Sequence, residues 1–113
     1  MYRLVNLKEG MPNTDYAIYL MEKEISFAKA EGSHVIVFIH GYGSSGHGGA
    51  IKTEVDRRLS QLKKDKKIIS YVRGDRWVED SDDVREIYKY APELSINRQV
   101  SGVNSGVTVV LVY

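Results

Sequence analysis

The sequence predicts an α/β fold, a two-layer sandwich on a mixed sheet of about four strands. The element order is β-α-β-α-β, then a helical insertion, then a last strand. Three observations carry this. The stretch "HVIVFI" (34–39) is apolar on both alternating faces, as a central, parallel strand covered by helices would be. The segments on either side of it carry apolar residues at helical spacing. The closing "GVTVVLVY" (106–113) is rich in β-branched residues.

The elements follow in order. Tyr2 to Leu7 alternates apolar and polar residues as a short strand, and Gly10 and Pro12 break it. Asn13 or Thr14 caps a helix, with Asp15 at its positive end. That helix runs to about Glu31, places Ala17, Met21, Ile25 and Ala28 on one face, and ends at Gly32. After the second strand, Ile51, Val55, Leu59 and Leu62 predict a helix from about Gly49 to Lys63, with further lysines at 64, 66 and 67. Ile68 to Val72 reads as a strand, and "RGDRWVED" as a loop or short strand. Ser81, Val84, Ile87, Tyr88 and Ala91 predict a third, short helix stopped by Pro92.

The chain of 113 residues fits one domain, 1–113. Its 42% hydrophobic content supports one core. With no cysteine, a disulfide scaffold and thiolate chemistry are excluded. No apolar run reaches membrane-spanning length and "MYRLVNLKEG" is no signal peptide, so a cytoplasmic location and no membrane partner are expected. The net charge is +1, so any polyanion partner must be found in local clusters.

The most informative stretch is "VIVFIHGYGSSGHGG" (35–49), with five glycines in its last nine positions. Gly41, Gly43 and Gly46 match the dinucleotide-binding pattern, but the acid expected about 20 residues on is misplaced: Asp65 lies in a lysine-rich turn. A P-loop fails because Gly49 stands where the lysine belongs, three residues before Lys52. The segment "FIHGYG" looks like the oxyanion segment of an α/β-hydrolase, yet no G-x-S-x-G elbow accompanies it. His34, His40 and His47 do not have the spacing of a metal site, and the cofactor is left open. What remains is a glycine loop between a strand's C-terminal end and a helix N-terminus, which suits an anion. The bland alternative is a tight connector, which needs fewer residues and fewer glycines.

The combination "VIVFIHGYGSSGHGGAIKTEVDRRL" with "NSGVTVVLV" resembles the Smr (small MutS-related) domain. The shared features are His-Gly-x-Gly after a strand, then Ile51, Lys52, Val55 and Leu59 on the helix. Gly106, Thr108, Val109 and Val110 match the last strand. The resemblance covers most of the chain and departs from about Arg73 to Val103. It implies a nucleic-acid-binding α/β sandwich, with DNA nicking or RNA cleavage known in several members. The family's Leu-Asp-Leu-His-Gly motif is replaced here by Val5, Asn6, Leu7 and Lys8, followed by Glu9-Gly10. Asn6 cannot serve as a carboxylate, and a protonated lysine is a poor base, so the replacement keeps the phosphate site and weakens the case for a nuclease.

The expected site is a phosphodiester contact. Amides of Gly41, Tyr42, Gly43, Ser44, Ser45 and Gly46, with the two serine hydroxyls, would hold phosphate oxygens. Lys8 would add a fixed positive charge, or simply end a solvated strand. His40 would donate a hydrogen bond, act as general acid/base if cleavage occurs, or merely pin the loop. Lys52, Arg57 and Arg58, with the lysines at 63, 64, 66 and 67, form a basic cluster read as adjoining the loop. Tyr42 could stack on an unpaired base. The partner is DNA or RNA, and the acids Glu79, Asp80, Asp82, Asp83 and Glu86 should lie away from it or act as a cover. The other class of function is a protein–protein interaction module, which would gain if Tyr42, Trp77, Tyr88 and Tyr90 formed one exposed patch.

Overall fold

The computed structural model describes residues 2–9, 13–41, 47–97 and 103–113, and for 47–49 the backbone only. Strands β1 (Tyr2–Asn6), β2 (Val35–Ile39), β3 (Ser70–Arg73) and β4 (Val107–Leu111) form one sheet in the order β1-β2-β4-β3. β1 and β2 are parallel, whereas β4 runs antiparallel to both β2 and β3. β2 is thus internal, as its all-apolar pattern implies, but parallel only on its β1 side. The long connection from β3 returns the chain from the opposite direction, and β4 fills the centre of the sheet.

Helices α1 (Thr14–Glu31) and α2 (His47–Lys64) cover one face. The Asn13 side chain accepts from the Tyr16 amide at 2.8 Å and starts α1; Gly32, at φ 81°, ends it in the left-handed conformation. Ala17, Met21, Ile25 and Ala28 are buried against Ile36, Phe38, Val55 and Leu59. Gly10 and Pro12 lie outside the described residues.

The insertion covers the other face. Helix α3 (Asp82–Tyr90) follows the cap at Ser81, and beyond the Pro92 stop the chain forms a 3-10 turn, Pro92–Ile96. Val84, Ile87 and Leu94 pack with Trp77 on Val35, Val37, Val109 and Leu111. Side chains alternate along a strand, so each central strand supplies both cores. This is why β4, from Val107 to Leu111, is buried at every position. A second 3-10 turn, Gly74–Arg76, carries the chain off β3. Gly74 packs so closely that an added Cβ would lie 2.0 Å from the Asn104 carbonyl oxygen. Among the described residues no helix is long and apolar enough to cross a membrane.

Candidate functional site

His40 follows β2, and the strand's period of two sets it on the same face as Ile36 and Phe38, under α2. It is 1% exposed. Its Nδ1 lies 3.0 Å from the Gly41 carbonyl oxygen and its Nε2 2.8 Å from the Thr108 hydroxyl. A carbonyl only accepts, so Nδ1 donates and the neutral ring's Nε2 accepts from Thr108. Burial holds the imidazole pKa below its ordinary value; the Gly41 carbonyl opposes this, and the charge of Lys52 adds to it. A neutral ring with both nitrogens engaged has no free proton-transfer position. The geometry is that of the loop-pinning histidine.

Gly41 is pinned as well. Its amide and that of His40 both donate to the Gly106 carbonyl, at 3.1 and 2.9 Å. The Gly41 amide is therefore turned into the fold, away from an incoming phosphate. Gly41 has φ 83°, and a Cβ there would stand 3.3 Å from Cδ of Lys8. So the Lys8 stem lies against the first glycine of the loop, as expected for the end of β1. Asn6 has a local reason to replace an acid: its side chain accepts from the Lys8 amide at 2.9 Å and shapes the turn. Tyr42, Gly43, Ser44, Ser45 and Gly46 lie outside the described residues.

The basic residues of α2 do not share one face. Lys52 points toward the 3-10 turn after β3, its Nζ 3.7 Å from Asp75. Arg58 faces α1 and pairs with Glu22 at 2.6 Å. Arg57 is exposed and pairs with Glu54 on its own helix. Lys63 and Lys64 end the helix, whose 18 residues span about 27 Å, so they do not adjoin the loop. Helix periodicity separates 52, 57 and 58 around the axis, which proximity in sequence conceals.

Two groups were missed. Arg73 grips Asp75 with two hydrogen bonds, 3.1 and 2.8 Å, which hold the Asp75 carboxyl below its usual range. Together with Lys52 and Thr108 they line a pocket of about 240 Å³ behind His40. The only sequence signal was the "RGDR" run after a strand end. Asp82, Asp83 and Glu86 lie on α3, which covers the face opposite α1 and α2, and Asp83 reaches a pocket beside α2. Trp77 is buried, Tyr88 packs edge-on against it, and Tyr90 stacks on His34, so these three do not make a single exposed patch. No group of three or more His, Asp or Glu among the described residues is placed to hold a metal ion.

The crystal structure of the Smr domain of Thermus thermophilus MutS2 superposes with a TM-score of 0.59 at 19% sequence identity, over 98% of each chain. The chain has the Smr-domain fold. No protein-family model matches the sequence, and no curated protein matches it. The likeness thus rests on architecture, and the Smr-like chain carries its own side chains at the sites above.

Proposed function

We propose that this Smr-like domain binds nucleic acid at the end of the sheet where β1 and β2 finish. The observation that carries the reading is that two cations from distant segments flank the His40–Gly41 step that ends β2. Lys8 lies against Gly41, and Lys52 stands within electrostatic reach of His40. Lys52 lies in the second turn of α2, whose positive dipole end adds to it. In this reading Gly43 to Gly46, with Ser44 and Ser45, cradle phosphate oxygens, and Tyr42 stacks on an unpaired base. His40 is a positioning residue that fixes the start of the cradle. Its engaged nitrogens and the turn-forming Asn6 support binding without cleavage.

Titration of labelled single- and double-stranded oligonucleotides over a range of salt tests the reading. Binding should weaken as salt rises, with a log–log slope of about 0.7 to 0.9 per neutralised phosphate. Lys8→Ala/Lys52→Ala should lower both affinity and slope. Salt-insensitive or absent binding to every oligonucleotide rejects it. Plasmid nicking or RNA cutting that disappears in a folded His40→Gln protein would give His40 a catalytic role instead.

A further inference from the structure

A groove runs beside α2 from the neighbourhood of His40 to the far end of the helix. Its inner section is the 240 Å³ pocket bordered by Lys52, Arg73 and Thr108. Its outer section, about 740 Å³, is bordered by Lys63, Lys64, Arg76 and Tyr71. Asp56 and Arg73 line both sections, so the two adjoin. α2 forms one wall, β3 the floor, and the 3-10 turn with the start of α3 the other wall.

The groove is more cationic than the molecule. Five basic side chains (Lys52, Lys63, Lys64, Arg73, Arg76) and three acidic ones (Asp56, Asp75, Asp83) line it, an excess of two in a chain of net charge +1. Asp75 is shared by Arg73 and Lys52, and Asp56 faces the hydroxyl of Tyr71. Lys63, Lys64 and Arg76 have no carboxylate within salt-bridge distance among the described residues, although they come from different elements across the groove. The helix end accounts for two lysines. It does not account for Arg76, which faces them from the opposite wall.

We infer that this groove is a track for a single strand of nucleic acid, leading from the loop end of α2 to Lys63, Lys64 and Arg76. The inference rests on the nucleic-acid reading above and extends it to a substrate class. A cation-lined groove that tracks one backbone is the mode in which single strands are bound. The 27 Å length of α2 holds at most about eight stacked nucleotides at roughly 3.4 Å each.

The test is the salt dependence of binding to fluorescein-labelled oligo-dT and oligo-U of four to sixteen nucleotides, and to a duplex. Affinity for single strands should exceed that for the duplex and stop rising at or below about eight nucleotides. In Lys63→Ser/Lys64→Ser/Arg76→Ser the log–log salt slope should fall by about 2, three contacts at roughly 0.7 each. Lys23→Ser/Arg85→Ser/Lys89→Ser removes the same charge outside the groove and should leave the slope unchanged. An equal loss in both triple variants overturns the track, because net charge alone then explains it. Wild-type binding by the groove variant, with loss in Lys8→Ala/Lys52→Ala, overturns the track and leaves the loop-end reading standing. Preference for the duplex overturns the single-strand class. Absence of binding to every probe overturns both.

Discussion

The Thr108 hydroxyl on β4 donates to Nε2 of His40 at 2.8 Å, inside a site closed to solvent. This contact ties the end of β2 to the strand that returns last, and with the Gly106 carbonyl it fixes where the glycine loop begins. Thr108→Val keeps the shape but leaves a buried acceptor unpaired, and should cost about 1–2 kcal/mol. His40→Ala also opens a cavity, and should cost about 3 kcal/mol. Urea denaturation gives both values. A His40→Ala protein as stable as wild type would show that the histidine pins nothing.

The same burial predicts a pH dependence. The His40 pKa is lowered in the fold, so the unfolded chain takes up a proton first as pH falls. The stabilising contribution is complete above the ordinary imidazole value near 6.5 and is lost as pH falls from there through the folded value. Asp75, also lowered, acts in a separate window: its contribution is complete above about 3.8 and is lost below. Denaturation midpoints should therefore drop between pH 7 and 5 in wild type and drop less in His40→Gln. Equal slopes in the two proteins would remove His40 as the cause.

Gly74 should tolerate no side chain. The clash with the Asn104 carbonyl involves backbone, and Val107 Cγ2 and the Val107 carbonyl stand at 2.7 and 2.8 Å. The Asn104 amide also donates to the Gly74 carbonyl at 3.0 Å, so the two segments cannot separate freely. Gly74→Ala should cost more than about 3 kcal/mol, the upper range for forced overpacking. It should also disturb Arg73 and Asp75 on either side. A melting temperature within two degrees of wild type would contradict the packing described.

Much of the fold was legible because local chemistry and tertiary structure agree. Asn13, Gly32 and Ser81 act at the helix ends where the sequence placed them, and the Ala17–Ala28 and Ile51–Leu62 stripes are buried. The direction of β4 was not legible, since pairing partners leave no mark on a single apolar run. Nor was the role of Gly74, which depends on a turn thirty residues away. In the candidate site, the strand periodicity placed His40 at the end of β2 and Lys8 just after β1, but nothing along the chain shows that Arg58 turns to Glu22 and Lys52 to Asp75. That division depends on which neighbour each helix face meets.

Gly41 offers the contrast to Gly74. Its φ of 83° is strained for any other residue, costing about 1–2 kcal/mol, but the atom facing a new Cβ is Cδ of Lys8, part of a flexible side chain. The stem can give way by a few tenths of an ångström, so backbone strain should dominate. Gly41→Ala should destabilise by about 1–2 kcal/mol, a melting shift of roughly 4–8 °C for a domain near this size. It should also displace Lys8 and weaken oligonucleotide binding without removing a charge. Calorimetry and a binding titration on the same sample separate the two effects. If Gly41→Ala lowers the melting temperature but binds as wild type does, Lys8 does not need its seat on Gly41.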